Sequence, residues 1–595
     1  MNLWQKGKKS AVALAVSLVF SVGTALAMPT GGSVVTGDVS GITNGTVASG
    51  GTINVNSNAL IDWNNFSIGS GEALNFAFNN ADVVINHVIG NNISELMGVL
   101  NGSGGHVVLV NPNGIVVDSN ASINVGGLTL STLAASDTDL IYALNHEGQG
   151  VNWEDSSGVL TLNRGLSVED VLELYGKVQI ADGVTLSAGD SVKISDADIT
   201  ANGTLNIFSK GSIDISDSTV KTTEGDIQIW SAETLERTVN TADGYDERVY
   251  RATGDGNVVN VSNSTLNSAD ELQIYASSIT VSDNSKLSNG GAAGGGLHLY
   301  ALSDYTRTKK DGLEAANETF STANTINIEN STLTDNPTSG DGSLSLAGGV
   351  VTIKDSNLTR EVTTNSRYAD IHIDALLSSS HGDNDSAGTH VENDTATADN
   401  VLTIDNSTIN AGLLSLMAGA INITNGSKLN TDVALIASIR KLSNLAAQLD
   451  TDFSKISFTY DDTSTFGNNV TMDSTSTLTT TARQVILPGL TIESDNSNID
   501  SDNNNGGNTN NNNNLQEEAQ AIMQDESLSQ NEKVVAIKEL IVENEAYAAN
   551  MREASGAQDK ESQGNTPVMP ENQSTPTDVN DANDNAPAIS GVDEE

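Results

Sequence analysis

"VNVSNSTLNSADELQIYASSITVSDNSKLS" spans Val259–Ser288, and it repeats one small pattern. Apolar residues stand two apart at Val259/Val261, Leu272/Ile274 and Ile279/Val281. Residues two apart on a strand point to the same face, so each pair marks a short strand with one buried side. Polar corners rich in Ser, Asn and Asp separate them, and these residues tolerate tight turns. Related units run along much of the chain: "VKISDADIT", "IDISDSTV", "INIENSTLT", "VTIKDSNLT", "LTIDNSTIN" and "INITNGSKLN". Their second apolar residues are Ile194, Ile215, Val261, Val281, Ile328, Ile353, Ile404 and Ile423. Companion strands such as "LNIFS", "IQIWS" and "LHLYAL" lie between them.

The spacing alternates. Positions 194 and 215, 261 and 281, 328 and 353, and 404 and 423 lie 19 to 25 residues apart, while the intervening steps are 46, 47 and 51. The short step suits one turn of a β-solenoid; the long one suits two turns, one of them carrying an insertion. Three polar insertions are visible, "SAETLERTVNTADGYDERVYRATGDGN", "SDYTRTKKDGLEAANETFSTAN" and "SSSHGDNDSAGTHVENDTATADN". Their equivalent placement predicts projection from one side of a rod. The fold class is therefore all-β: a right-handed parallel β-helix (solenoid) with extra-helical loops, then a short helical segment and a disordered acidic tail. Roughly 17 to 20 coils are expected, making a rod of about 80–95 Å. A string of β-sandwich domains fits the coil-length period less well.

Residues 1–27 read as a signal peptide, with Lys6, Lys8 and Lys9 ahead of an apolar run and Ala25-Leu26-Ala27 as a cleavage site. Residues 28–164 form a leading β-helix domain. There Trp63, Phe66, Phe76 and Phe78 supply the bulk that an end coil needs. Residues 165–490 carry the repeats, and 491–514 are an Asn-rich linker. Residues 515–554 read as helical, with a capping pattern at Ser529 and Glu532 and an apolar face of Val534, Ile537, Leu540 and Ile541. Residues 555–595 are an acidic tail.

The net charge of −49 argues against nucleic acid and anionic lipid as partners, because phosphate binding needs clustered Lys and Arg. With no Cys, the chain would enter an oxidising compartment without disulfides, which suits a chain that must be threaded onward. No catalytic residue, metal ligand set or cofactor is expected. Asp198, Asp217 and Asp355 sit in repeated corners and read as structural. His298 and His372 fall on the outer face of companion strands. "GGAAGGG" at Gly290 reads as a flexible turn, and no phosphate loop, zinc pattern or calcium nonapeptide is present. The Asn-x-Ser/Thr triplets at Asn202, Asn263, Asn330 and Asn406 read as corner residues before glycan acceptors.

The leading region carries a more specific signal. "IDWNNFSIGSGEALNF", "VVINHVIGNNISELMGVLNGSGGHVVLVNPNGIVV" and "ASINVGGLTLSTLAAS" fall in order between Ile61 and Ser136. This stretch resembles the secretion domain that opens filamentous-haemagglutinin-like and high-molecular-weight adhesins of Gram-negative bacteria, the two-partner-secretion exoproteins. Asn111, Pro112, Asn113, Gly114 and Ile115 match the family's most recognisable motif, and Asn86, Gly126 and Gly127 belong to the flanking blocks. Pro112 would fix φ, Gly114 would take a positive φ, and the two Asn would cap the turn. The family usually has Asn-Arg-Val where this chain has Asn86-His87-Val88, and the companion NPNL motif of some members is absent. The first departure speaks against a recognition role for a cation at position 87; the second places the chain nearer the high-molecular-weight branch, whose Cys-pair anchoring is not expected in a chain without Cys.

The resemblance implies export through the periplasm to the outer face of the cell. The export partner would be an outer-membrane transporter barrel with periplasmic binding domains. The functional expectation is a monomeric, non-enzymatic surface adhesin that meets a host-cell or bacterial surface receptor or glycan. Its C-terminal helices would tether it in the partner pore. The alternatives are a two-partner-secreted cytolysin, whose only amphipathic stretch would be Val534 to Val542, or a polysaccharide-processing β-helix enzyme.

Overall fold

The computed structural model describes residues 28–492, apart from short segments at 147–149, 241, 243, 253–255, 291–294, 311–312, 337–342, 361–369, 384–389, 449–456, 460–463, 468 and 487–489. The expected signal peptide, linker, C-terminal helices and acidic tail lie outside the described residues, as does the middle of the Gly290 turn.

Successive coils stack as parallel strands in register. Ile194 pairs with Ile215, and the column continues through Val261, Val281, Ile328, Ile353, Ile404 and Ile423 to Met472 and Ile492. Toward the N-terminus the same column runs through Leu174, Leu130, Leu109 and Asn86 to Ile61. Its described members from Ile61 to Ile423 are at most 1% exposed. Each fully buried aliphatic side chain of this kind contributes about 1.5–3 kcal/mol. The ladder passes residue 164 without a break, since the strand Ser122–Ser131 pairs directly with Val171–Ile180. Fifteen rungs between Ile61 and Ile492 at about 4.8 Å give a stack of about 67 Å. That is shorter than expected, because each long step of 46, 47 or 51 residues is one coil with an insertion and not two coils: Ile215, Val281 and Ile353 pair directly with Val261, Ile328 and Ile404.

The corners explain the repeated D-S-T and N-S-T triplets. Asp217, Asn263, Asn330, Asp355 and Asn406 adopt left-handed backbone, φ 45–51°. Asn and Asp are the residues other than Gly that visit this region most readily. Their side chains stack along the rod: Asn263 Nδ2 donates to Asp217 Oδ1 (2.6 Å) and Asn406 Nδ2 to Asp355 Oδ1 (2.5 Å). The next residue is a buried Ser. The backbone N–H of Ser264 donates to Ser285 Oγ, that of Ser356 to Ser407 Oγ, that of Ser407 to Ser427 Oγ and that of Ser427 to Ser476 Oγ, all at 3.1–3.2 Å. Each hydroxyl turns its own proton back to a local carbonyl, as Ser407 Oγ does to Asp405 O (2.7 Å). Asp198 does not belong to this set. It is exposed on a strand, and the left-handed residue of its coil is Asp196.

The insertions are not irregular loops. They are hairpins, Thr234–Asn240 with Tyr245–Arg251, Asp304–Lys310 with Leu313–Thr319, and Ser378–Asp383 with His390–Thr395. Neighbouring hairpins pair edge to edge, and the last joins the long strand Lys428–Gln448, so all form one antiparallel sheet. The geometry is self-consistent. Hairpins leave every second coil, about 9.6 Å apart, and each contributes two strands of about 4.8 Å, so they tile without a gap. Each insertion ends in a buried Asn that returns the chain to the solenoid. Asn324 Nδ2 donates to Ser277 O (3.1 Å), and Asn400 Nδ2 to Gly349 O (3.0 Å) and Leu376 O (2.8 Å).

This sheet covers the outward residues of the companion strands. Trp230, Tyr275 and Tyr300 stack face to face on successive coils, with centroids 4.2 and 5.0 Å apart. Tyr250 and Tyr305 of the extra sheet pack on them. His298 and His372 lie in the adjacent outward column, separated by the coil that carries Ser345. The sheet leaves neither side chain on a free surface; His298 Nε2 faces the buried Glu271 carboxylate at 3.3 Å.

Ser407→Ala removes the acceptor of the Ser356 N–H at a buried position. A loss of about 1–3 kcal/mol is expected. Denaturant unfolding of the mature chain measures it; a Ser407→Ala rod as stable as wild type contradicts the ladder.

Candidate functional site

The first coils are capped, then framed. Ser33–Thr36 and Val39–Ser40 run antiparallel to Ala59–Trp63 and Thr52–Val55, and they close the open end of the stack. Trp63 and Phe66 meet edge-on (5.8 Å) beneath this cap, both fully buried. Asn86 is the polar exception in the apolar column. It accepts from the Trp63 indole N–H (3.1 Å) and donates to Val108 O (3.1 Å), so a buried amide ties three coils together.

The Asn111–Gly114 turn is built from side chain and backbone together. Gly114 N donates to Asn111 O (3.0 Å), and Asn113 N donates to Asn111 Oδ1 (3.0 Å). Gly114 has φ 126°, which an L side chain resists. Asn111 is fully buried, and its Nδ2 reaches sideways to Asn92 O (3.0 Å) and Ser94 Oγ (2.9 Å). Asn113 Nδ2 donates to Gly90 O (2.8 Å). Ile115 is buried and pairs with Ser94 on one side and Leu160 on the other. The two asparagines thus hold the segment 89–93 of the preceding coil. Ile89 and Ile93 on that segment are 55% and 43% exposed, among the most exposed large apolar side chains described.

Gly126 and Gly127 answer a space requirement. A Cβ on Gly127 would lie 2.5 Å from His106 Nδ1, and one on Gly126 would lie 2.8 Å from Gly105 O. His106 sits on the adjacent coil and continues an outward ladder, with Nε2 2.7 Å from Thr129 Oγ1 and Thr129 Oγ1 donating to Glu173 Oε2 (2.7 Å). Burial pushes the His106 imidazole pKa down. The glycine pair is therefore not joined to the Asn111 turn in one pocket; it makes room for neighbouring coils.

Sequence reading missed a helix here. Asp137–Asn145, helix α1, is capped by Ser136, whose Oγ accepts from Asp139 N (3.2 Å). Leu140, Ile141 and Leu144 give it an apolar face, packed on Leu60, Ile85 and Val110. The signal was present, as a Ser followed by acidic residues and then apolar residues three and four apart. Asp137 in its first turn lies 3.0 Å from His87 Nδ1, and Asp62 of the previous coil lies 3.2 Å from the same atom. Burial and then the Asp137 carboxylate push the Asp62 carboxyl pKa up, while His87 pulls it down.

Asn113→Ala removes the donor that holds Gly90 O. Amide hydrogen exchange across 89–94 should accelerate, with the coils beyond Val171 unaffected. Asn111→Ala, which leaves the buried Ser94 hydroxyl without its donor and the Asn113 N–H without its acceptor, should also lower global stability by about 1–3 kcal/mol. Unchanged exchange in Asn113→Ala contradicts the clamp.

The chain is similar to a heme/hemopexin-binding protein of Haemophilus influenzae (strain ATCC 51907 / DSM 11121 / KW20 / Rd), 32% identical over 185 residues, which are 31% of this chain and 19% of that protein. A second Haemophilus influenzae heme/hemopexin-binding protein is 43% identical over 75 residues, 12% of this chain and 8% of that protein. The match spans less than a fifth of either relative. Among solved structures, the HMW1 secretion domain from Haemophilus influenzae aligns over 69% of this chain and 100% of its own, with 18% identity and a TM-score of 0.30. The TPS secretion domain family matches residues 25–540. The chain belongs to that family and is a two-partner-secretion exoprotein.

Proposed function

We propose that the leading coils are the part read by an outer-membrane transporter barrel, and that the rod behind them is a surface adhesin. The observation that carries the first half is the clamp. Asn111 and Asn113 hold a segment whose Ile89 and Ile93 side chains stand in solvent. Exposed apolar side chains on a rigid frame are what a periplasmic binding domain can grip. The second half draws support from the extra sheet. Its inner face is filled by Leu235, Tyr250 and Tyr305, leaving the outer face, with Glu236, Thr306, Thr308 and Asn317, as a polar platform along the rod. The repeated carboxylates are used at corners, which suits a non-enzymatic scaffold.

A second reading is capture of heme or of a heme carrier, as the names of the two relatives suggest. Tyr142 and His146 stack on the exposed side of α1, centroids 4.2 Å apart, and both residue types ligate heme iron in proteins.

Export is tested by secretion of the full chain with and without a partner barrel, beside an Ile89→Asp/Ile93→Asp variant. Secretion that needs the barrel and falls several-fold in the variant, at unchanged thermal stability, is expected. Equal secretion without the barrel overturns the export reading. Cell binding of the purified rod, with Thr306, Thr308 and Asn317 changed to Glu, tests the platform. A saturable Soret shift with hemin, lost in Tyr142→Ala/His146→Ala, favours heme capture over adhesion.

A further inference from the structure

We infer that Asp62, His87 and Asp137 form a site for one divalent transition-metal ion of the zinc type, and that the ion staples helix α1 to the leading coils. The three ligand atoms, His87 Nδ1 and one carboxylate oxygen of each Asp, lie within 4.8 Å of one another. The nitrogen is 3.0 Å from the Asp137 oxygen and 3.2 Å from the Asp62 oxygen. Zinc bonds of about 2.0–2.2 Å in a tetrahedral shell place ligands roughly 3.3 Å apart, so these spacings need little adjustment.

Hydrogen bonding alone serves this triad poorly. One ring nitrogen carries one proton, which must be divided between two carboxylates. An ion at the centre satisfies all three ligands and offsets the carboxylate pair. One His and two carboxylates is a borderline donor set, suited to zinc ahead of calcium or magnesium. The His87 and Asp62 side chains are 11% and 14% exposed, whereas that of Asp137 is 42% exposed, which leaves a side for a water ligand. An Arg at position 87 would bring several donors for both carboxylates, whereas His87 presents the single atom Nδ1 to both.

The consequence is a staple that forms after passage. Asp62 and His87 come from successive coils and Asp137 from the helix laid over them, so the site assembles only when the coils have stacked and α1 has docked. A ligand bound only by the folded chain stabilises it in proportion to its occupancy. In a chain without Cys this supplies a cross-link that export does not have to thread.

The test uses the mature full chain, stripped with a chelator and titrated with Zn²⁺ against a chromophoric competitor, with Mg²⁺ and Ca²⁺ as controls. One saturable zinc per chain and a raised melting temperature are expected, with a tetrahedral-type visible spectrum on Co²⁺ substitution. His87→Ala and Asp137→Asn should weaken binding by more than about 100-fold. His87→Arg keeps the carboxylates bridged, so it should fold, melt independently of zinc and give no cobalt spectrum. Zinc binding unchanged in His87→Arg, or no saturable site in wild type, overturns the proposal. In the second case His87 is a hydrogen-bonding bridge between the two carboxylates alone.

Discussion

A backbone N–H at a buried serine corner has no water to turn to, and in this molecule it reaches the hydroxyl of the next coil. Ser264 to Ser285 and the run Ser356, Ser407, Ser427, Ser476 repeat that bond along the rod. Leaving such a donor unmade costs about 1–3 kcal/mol, so a coil displaced from register loses a corner bond as well as its apolar contacts. A left-handed Asn or Asp just before Ser264, Ser285, Ser356 and Ser407, and Gly426 before Ser427, sets the angle at which the chain meets its neighbour. Stacking of Ile and Val supplies most of the stabilising free energy, and the corner supplies the register.

From that constraint the rest follows in order. Coils in register leave an outward column at each companion strand, and Trp230, Tyr275 and Tyr300 make it too apolar to stay in water. Hairpins leaving every second coil match the strand spacing and close over it. At the leading end of the described residues, antiparallel segments pair with the first coils and cap the stack, and α1 covers Leu60, Ile85 and Val110. The clamp at Asn111 and Asn113 and the triad at His87 belong to this framed region, where a buried amide, Asn86, replaces an aliphatic residue in the central column.

The inward column was legible almost residue by residue, because period-2 alternation and a 19–25 residue step each pointed to the same eight positions. The hairpins were not. Among the described residues, each of their strands buries at most two large side chains, such as Leu235 or Tyr250, among polar ones, so alternation is too weak to read alone. Each step of 46 to 51 residues is a single coil carrying a hairpin, where the spacing alone suggested two coils, so the length that betrays the hairpin was assigned to an extra turn. The turn motif was legible as a turn, yet its grip on the preceding coil was not, since Asn92 and Ser94 are local only once the coils stack. The Asp62–His87–Asp137 triad joins residues 25 and 50 positions apart, with no spacing rule to betray it.

Cross-linking offers the most direct check, because the chain has no Cys of its own. Ser216 and Ser262 face each other across adjacent coils although 46 residues and a hairpin separate them. Parallel neighbours at about 4.8 Å fall within the Cα range that a disulfide spans. A Ser216→Cys/Ser262→Cys chain should therefore oxidise spontaneously to a single intramolecular bridge, while Ser216→Cys/Asn260→Cys, displaced by two residues, should stay reduced. Bridging of the displaced pair, or of neither, would contradict coils stacked in this register with the hairpin set outside them.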